Sequence, residues 1–153
     1  MNNNYLANKV NDDEKLSRIV LSPKDIDPVS NYPKDIFLGL RQDEEGISFL
    51  RMDFMGEEHF IECGLQRAAM YNGNSKKKKY SFVGWMEGFA NEIENLSPGR
   101  ILVNVNDPEH RPEHVNVEFL KNGEIVRGIV TDAEILYIID ELFHYLKYKQ
   151  YKK

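Results

Sequence analysis

Between Asp107 and His114 the chain sets six ionisable side chains, Asp107, Glu109, His110, Arg111, Glu113 and His114, around the two prolines Pro108 and Pro112. The mixture holds the parts needed for acid–base chemistry. Histidine titrates near neutrality, a neighbouring carboxylate tunes it, and arginine offers a fixed fork of donors to an anion. A phosphodiester-cleaving set can be drawn with His114 and His110 as base and acid. Arg51 and Arg111 would then stabilise the charge of a developing phosphorane. His114 also opens the alternating run Val115–Leu120, so a strand rather than a loop should hold its ring. The His-x-Thr/Ser pairs of two-histidine phosphoesterases are missing, as His114-Val115-Asn116 shows.

Other chemistries find less in the chain. His110 and His114 lie four residues apart, but Pro108 and Pro112 oppose the regular helix that would put both on one face. Neither a helical His-Glu-x-x-His nor paired Cys-x-x-Cys is present, so no metal or other cofactor is expected, although Asp107, Glu109 and Glu113 are possible carboxylate partners. Serine hydrolysis lacks a Gly-x-Ser-x-Gly elbow. A transferase acting on a nicotinamide dinucleotide would need an arginine, a Ser or His, and a glutamate on separate strands. Arg18 or Arg51, His114 and Glu118 fit that scheme no better than the residues of many mixed folds would. The single cysteine, Cys63, has no histidine beside it in a recognisable motif and reads as a small buried hydrophobe.

Arg51 follows Ile47 and Phe49 on one face of a strand pattern spanning Ile47–Phe54. It reads either as an anion-binding arginine at a strand end or as a strand-end residue that reaches solvent or pairs with Asp53 or another nearby acid.

The elements that must position these residues follow from periodicity. Leu16–Leu21 reads as a strand stopped by Ser22-Pro23, with Ser22 as a cap and Pro23 at the first position of a helical turn. Ile36–Leu40 is a short strand or helical turn. Gly56–Tyr71 has helical spacing, with Glu57 and Glu58 favoured at its positive end. Asn72–Lys79 reads as a solvated loop carrying the basic run Lys76–Lys79. Tyr80–Glu87 alternates as a strand with a bulge signal at Gly84 and Phe89–Leu96 reads as a short helix, the alternative being one continuous helix from Gly84 to Leu96. Asn122-Gly123 predicts a type I′ turn joining Val115–Leu120 to Glu124–Val130. Thr131-Asp132-Ala133-Glu134 has the capping-box pattern with Thr131 as the cap. The apolar stripe from Ile135 to Leu146 then predicts a long amphipathic helix, with the C-terminal lysines at its negative end.

These elements give an α+β fold in a single domain over 15–153. It is mainly antiparallel sheet, with a long amphipathic C-terminal helix packed on one face. Residues 1–14, rich in Asn and Asp, are expected to be poorly ordered or loosely docked. The 153 residues suffice for one core, and 41% apolar with 29% charged residues is ordinary for a soluble protein. No run approaches the ~20 apolar residues of a membrane span. The N-terminus lacks a secretory pattern, and a lone cysteine suits a reducing cytoplasm. The net charge of −5 opposes general nucleic-acid binding. Lys76–Lys79 and the lysines from Lys147 onward keep a local contact with nucleic acid open without favouring it. Acidic and basic patches are well separated, and aromatics make up 11% of the chain. The expected function is therefore a small, bacterial-type cytoplasmic binding protein of the accessory, inhibitor or immunity type, acting through a protein partner. The alternative is a phosphate-handling enzyme built on His114, His110, Arg51 and Arg111. Oligomeric state is not specified by any of these signals.

Overall fold

A main antiparallel sheet holds Arg51 and His114 at strand ends, with His110 and Arg111 on the loop that leads into the strand His114 opens. The computed structural model describes residues 5–39, 44–73, 79–128 and 131–152. Strand β1 (Lys15–Ser22) is followed by a small ladder of β2 (Ile26–Asp27) with β3 (Tyr32–Pro33) and a 3₁₀ turn over Asp35–Leu38. Next come β4 (Gly46–Arg51), the short helix α1 (Met52–Met55), α2 (Glu57–Gly73) and β5 (Ser81–Phe89). The remaining elements are α3 (Ala90–Asn95), β6 (Ile101–Asn104), β7 (His114–Lys121), β8 (Glu124–Ile125), α4 (Ala133–Tyr145) and β9 (Lys147–Gln150). The main sheet runs β6-β7-β4-β1-β5-β9, with β8 paired to β7.

Period-two patterning gives the sheet two covered faces. On one, Leu16, Val20, Ile47, Phe49, Val115, Val117 and Phe119 pack beneath Ile135, Ile138, Ile139, Leu142 and Phe143 of α4. On the other, Ile19, Leu21 and Leu50 pack with Phe60 and Ala68 of α2, together with Met52, Met55, Phe82 and Trp85. Gly64 of α2 sits so close to the Phe82 ring that an added Cβ would lie 2.5 Å from it. The glycine that weakens helix propensity here allows the helix to approach the sheet.

The α+β class and the antiparallel sheet agree with the sequence reading, whereas the long C-terminal helix does not. Helix α4 has 13 residues. Leu146 turns extended after it, and Lys147–Gln150 pair with Gly84–Glu87 as an edge strand. Tertiary pairing has overridden local helix propensity in this lysine-rich tail. The cap also moves by one residue: Asp132, not Thr131, accepts the amide of Ile135 at 3.2 Å. Ser22-Pro23 is a cis peptide rather than the start of a helical turn.

The Asn122-Gly123 turn is found with φ values of 54° and 78°, the left-handed pair a type I′ turn requires. Its second strand spans only two residues, and the expected continuation to Ile129 and Val130 lies outside the described residues. Lys76–Lys78 of the basic run, residues 1–4 of the N-terminal segment and Leu40–Asp43 lie outside them as well.

Candidate functional site

Arg51 ends β4 on the face away from Leu50, opposite Leu16 in register. Its side chain is completely enclosed. Nε donates to Glu14 Oε1 at 2.7 Å, and Nη2 to Glu14 Oε2 at 3.1 Å. Nη1 donates to the carbonyls of Ala7 (3.0 Å) and Pro112 (2.9 Å), and Nη2 to those of Leu6 (2.6 Å) and Lys9 (3.0 Å). The guanidinium carbon lies 4.3 Å from the centroid of the Phe54 ring. All five N–H donors are therefore consumed within the protein. Arg51 works as a buried hub joining residues 6–14 to the proline-bounded loop before β7.

His114 leaves β7 on the other face of the sheet. It is paired with Leu50 in register, so its ring and the Arg51 side chain are separated by the sheet itself. The ring is half-buried and meets Arg111, whose Nη2 lies 3.2 Å from both ring nitrogens, and Glu113 at 3.7 Å. Burial, followed by the Arg111 charge, holds the His114 pKa below the usual histidine value. His110 is turned outward, its Nδ1 3.0 Å from Asp107. That hydrogen bond lowers the Asp107 pKa. Of the four residues expected to act together, the structure brings Arg111 and His114 into contact. His110 is engaged with Asp107, and Arg51 lies behind the sheet.

Cys63 on α2 is half-buried. Burial and the nearby carboxylates of Glu113 and Glu62 push its thiol pKa up, against thiolate formation. Among the described residues, no three His, Cys, Asp or Glu side chains gather as a metal ion would require. No described helix is long and apolar enough to cross a membrane.

Two features stand out that the chemistry-bearing residues did not signal. The first is a cleft of about 380 Å³ where β4 parts from β1, lined by Arg18, Lys24, Arg67, Phe37 and Tyr71 among others. The local signal in the sequence is Arg18 interrupting the apolar run of β1. The second is the outer face of α4. Its inner positions are packed into the core, yet Leu136 is 47% exposed and the adjacent Tyr137 is 65% exposed. Glu134, Asp140 and Glu141 surround that pair on the same helix. Asp140 holds His144, and Glu134 meets Arg100 at 3.3 Å.

Sheet edges offer less to a partner. Glu94 accepts the outward amide of Val103 on edge strand β6 at 3.0 Å, and β9 carries Lys147 and Lys149 along the opposite edge. Both devices discourage strand addition. No protein-family model matches the chain, and no curated protein or solved structure gives a match to it.

Proposed function

We propose that the protein is a small binding protein of the accessory, inhibitor or immunity type, acting through a protein partner that it engages with the outer face of α4. One observation carries this reading: Tyr137 and Leu136 stand exposed on a helix whose inner face is fully packed. Tyrosine supplies a large amphipathic contact with few rotamers to freeze, which suits an interface anchor. The carboxylates of Glu134, Asp140 and Glu141 around it call for a partner with a basic rim and an apolar pocket. A single cysteine, with no pairing to make within the chain, supports work in a reducing compartment, the cytoplasm.

The catalytic alternative asks His114, His110, Arg51 and Arg111 to converge on one substrate. Arg51 has no donor left to offer, and His114 lies across the sheet from it. That geometry favours binding over turnover. The test is photo-cross-linking in lysate of cells that make the protein, with a benzophenone side chain at position 137 or at position 29, off α4 in the turn between β2 and β3, where Val29 is 94% exposed. One protein captured from position 137, and not from position 29, is the expected result. Equal capture from both, or capture from neither, contradicts the proposal.

A further inference from the structure

We infer that the cleft between β1 and β4 is a binding site for a small molecule that carries an oxyanion, phosphate or carboxylate, on a compact apolar body. Strand β1 pairs with β5 along its whole length, but with β4 only at Leu16–Arg51 and Ser17–Leu50. Beyond those two pairs β4 turns away, which would ordinarily leave backbone groups on both strands unpaired. At two of these groups a side chain takes the place of the missing strand. Arg18 Nη1 donates to the Ser48 carbonyl at 2.7 Å, and Asp25 Oδ2 accepts the Leu21 amide at 2.9 Å. The Leu21 carbonyl in turn accepts the Asp25 amide at 2.8 Å. At these points the split is held by side-chain and turn hydrogen bonds in place of the ladder.

Its lining defines the ligand. Among the described lining residues, Arg18, Lys24 and Arg67 face Asp25 and Glu44, three cations to two carboxylates, an excess of one positive charge. Asp25 is already committed to the Leu21 amide and to Lys24, 3.1 Å away. The Arg67 side chain projects from the exposed side of α2 at the mouth, where its fork suits an oxyanion. Beside the cations lie Ile19, Leu21, Phe37 and Tyr71, a surface for an apolar or aromatic body, with the exposed Met70 at the mouth. A volume of about 380 Å³ falls within the range of small-molecule sites. This inference does not depend on the α4 partner.

The test is an amide-resolved NMR titration of the full chain with phenyl phosphate, benzoate, inorganic phosphate and benzyl alcohol. At least one of the two aromatic oxyanions should give saturable shifts at Ile19, Ser48 and Tyr71. It should bind at least about tenfold more tightly than inorganic phosphate or benzyl alcohol, the equivalent of about 1.4 kcal/mol. Arg67→Glu, at an exposed position, should weaken that binding at least about tenfold, as loss of a charge-assisted hydrogen bond and reversal of a charge imply. Met70→Trp, which fills the mouth, should weaken it as well. Binding no tighter than that of inorganic phosphate, shifts scattered over surface lysines, or an unaffected Arg67→Glu variant would overturn the assignment.

Discussion

Arg51 and Glu14, 37 residues apart in sequence, meet at 2.7 Å with both side chains fully enclosed. The pair explains why an arginine can end a central strand in the core. Every remaining donor finds a backbone carbonyl, so the charge is both neutralised and hydrogen-bonded. Removing one partner strands the other. Arg51→Ala and Glu14→Ala should each lower stability by about 3–5 kcal/mol in urea unfolding. Amide exchange in residues 6–14 should accelerate before the rest of the chain. A loss below about 1 kcal/mol, within the range of an exposed pair, would show that the hub contributes little.

That hub also marks the boundary of what the sequence could reveal. Alternation placed Arg51 on a strand and on the same face as Ile47 and Phe49, and the Asn122-Gly123 turn was readable from two residues. Both signals are local. Glu14 lies in a polar, aperiodic stretch that gives no hint of folding back over β4, so the sequence points only to Asp53 or another acid near Arg51. Asp53 instead accepts the Lys15 amide at 2.7 Å. The cleft was hidden for a related reason. It arises where two strands stop pairing, and strand order is not written in any one segment. The tail from Lys147 misled because its helix-compatible lysines are recruited by β5 from across the sheet.

Glu118 should make the fold lose stability as pH rises. It is buried on β7 with Oε1 lacking a hydrogen-bond partner among the described residues, and burial raises its pKa above the usual glutamate value despite a hydrogen bond from Asn104. The folded chain then holds a proton that the unfolded chain releases. The contribution is intact below the unfolded pKa and is lost as pH climbs through the folded one. Glu118→Gln keeps the shape without the charge. It should match the parent near pH 4 and exceed it by roughly 1 kcal/mol at pH 7, the scale of an unsatisfied buried polar group. Urea unfolding across pH 4–8 checks this; a variant less stable at pH 7 would contradict it.

His114 should titrate below the ordinary histidine value of about 6.5. Burial is the larger cause and Arg111 the second. Arg111→Ala should therefore move the midpoint upward without restoring it fully, as followed by the imidazole resonances in NMR. Because the neutral ring is the one the fold prefers, its contribution is intact above the unfolded pKa. It is lost as pH falls through the lower folded value. A midpoint unchanged in Arg111→Ala would remove the guanidinium as a cause.

Gly84 is where β5 admits the tail. A Cβ built there would lie 2.1 Å from the Lys149 carbonyl oxygen, a contact that backbone must move to relieve. Gly84→Ala should cost about 1–3 kcal/mol, as overpacking does. Exchange protection should fall selectively in Lys147–Gln150 while α4 keeps its own. Protection lost equally in both would mean that strand and helix dock as one unit.

The proposed function rests on the outer face of α4 and not on the histidine loop. With a cross-linked partner in hand, the direct measurement is its dissociation constant for the parent, Tyr137→Ala and His114→Ala chains, each first shown to be folded. Tyr137→Ala is expected to weaken binding by about thirtyfold, the effect of losing a hot-spot residue worth about 2 kcal/mol. His114→Ala should leave binding within about twofold, as expected for a residue outside the interface core. A partner that binds Tyr137→Ala as tightly as the parent but is lost by His114→Ala would contradict the account.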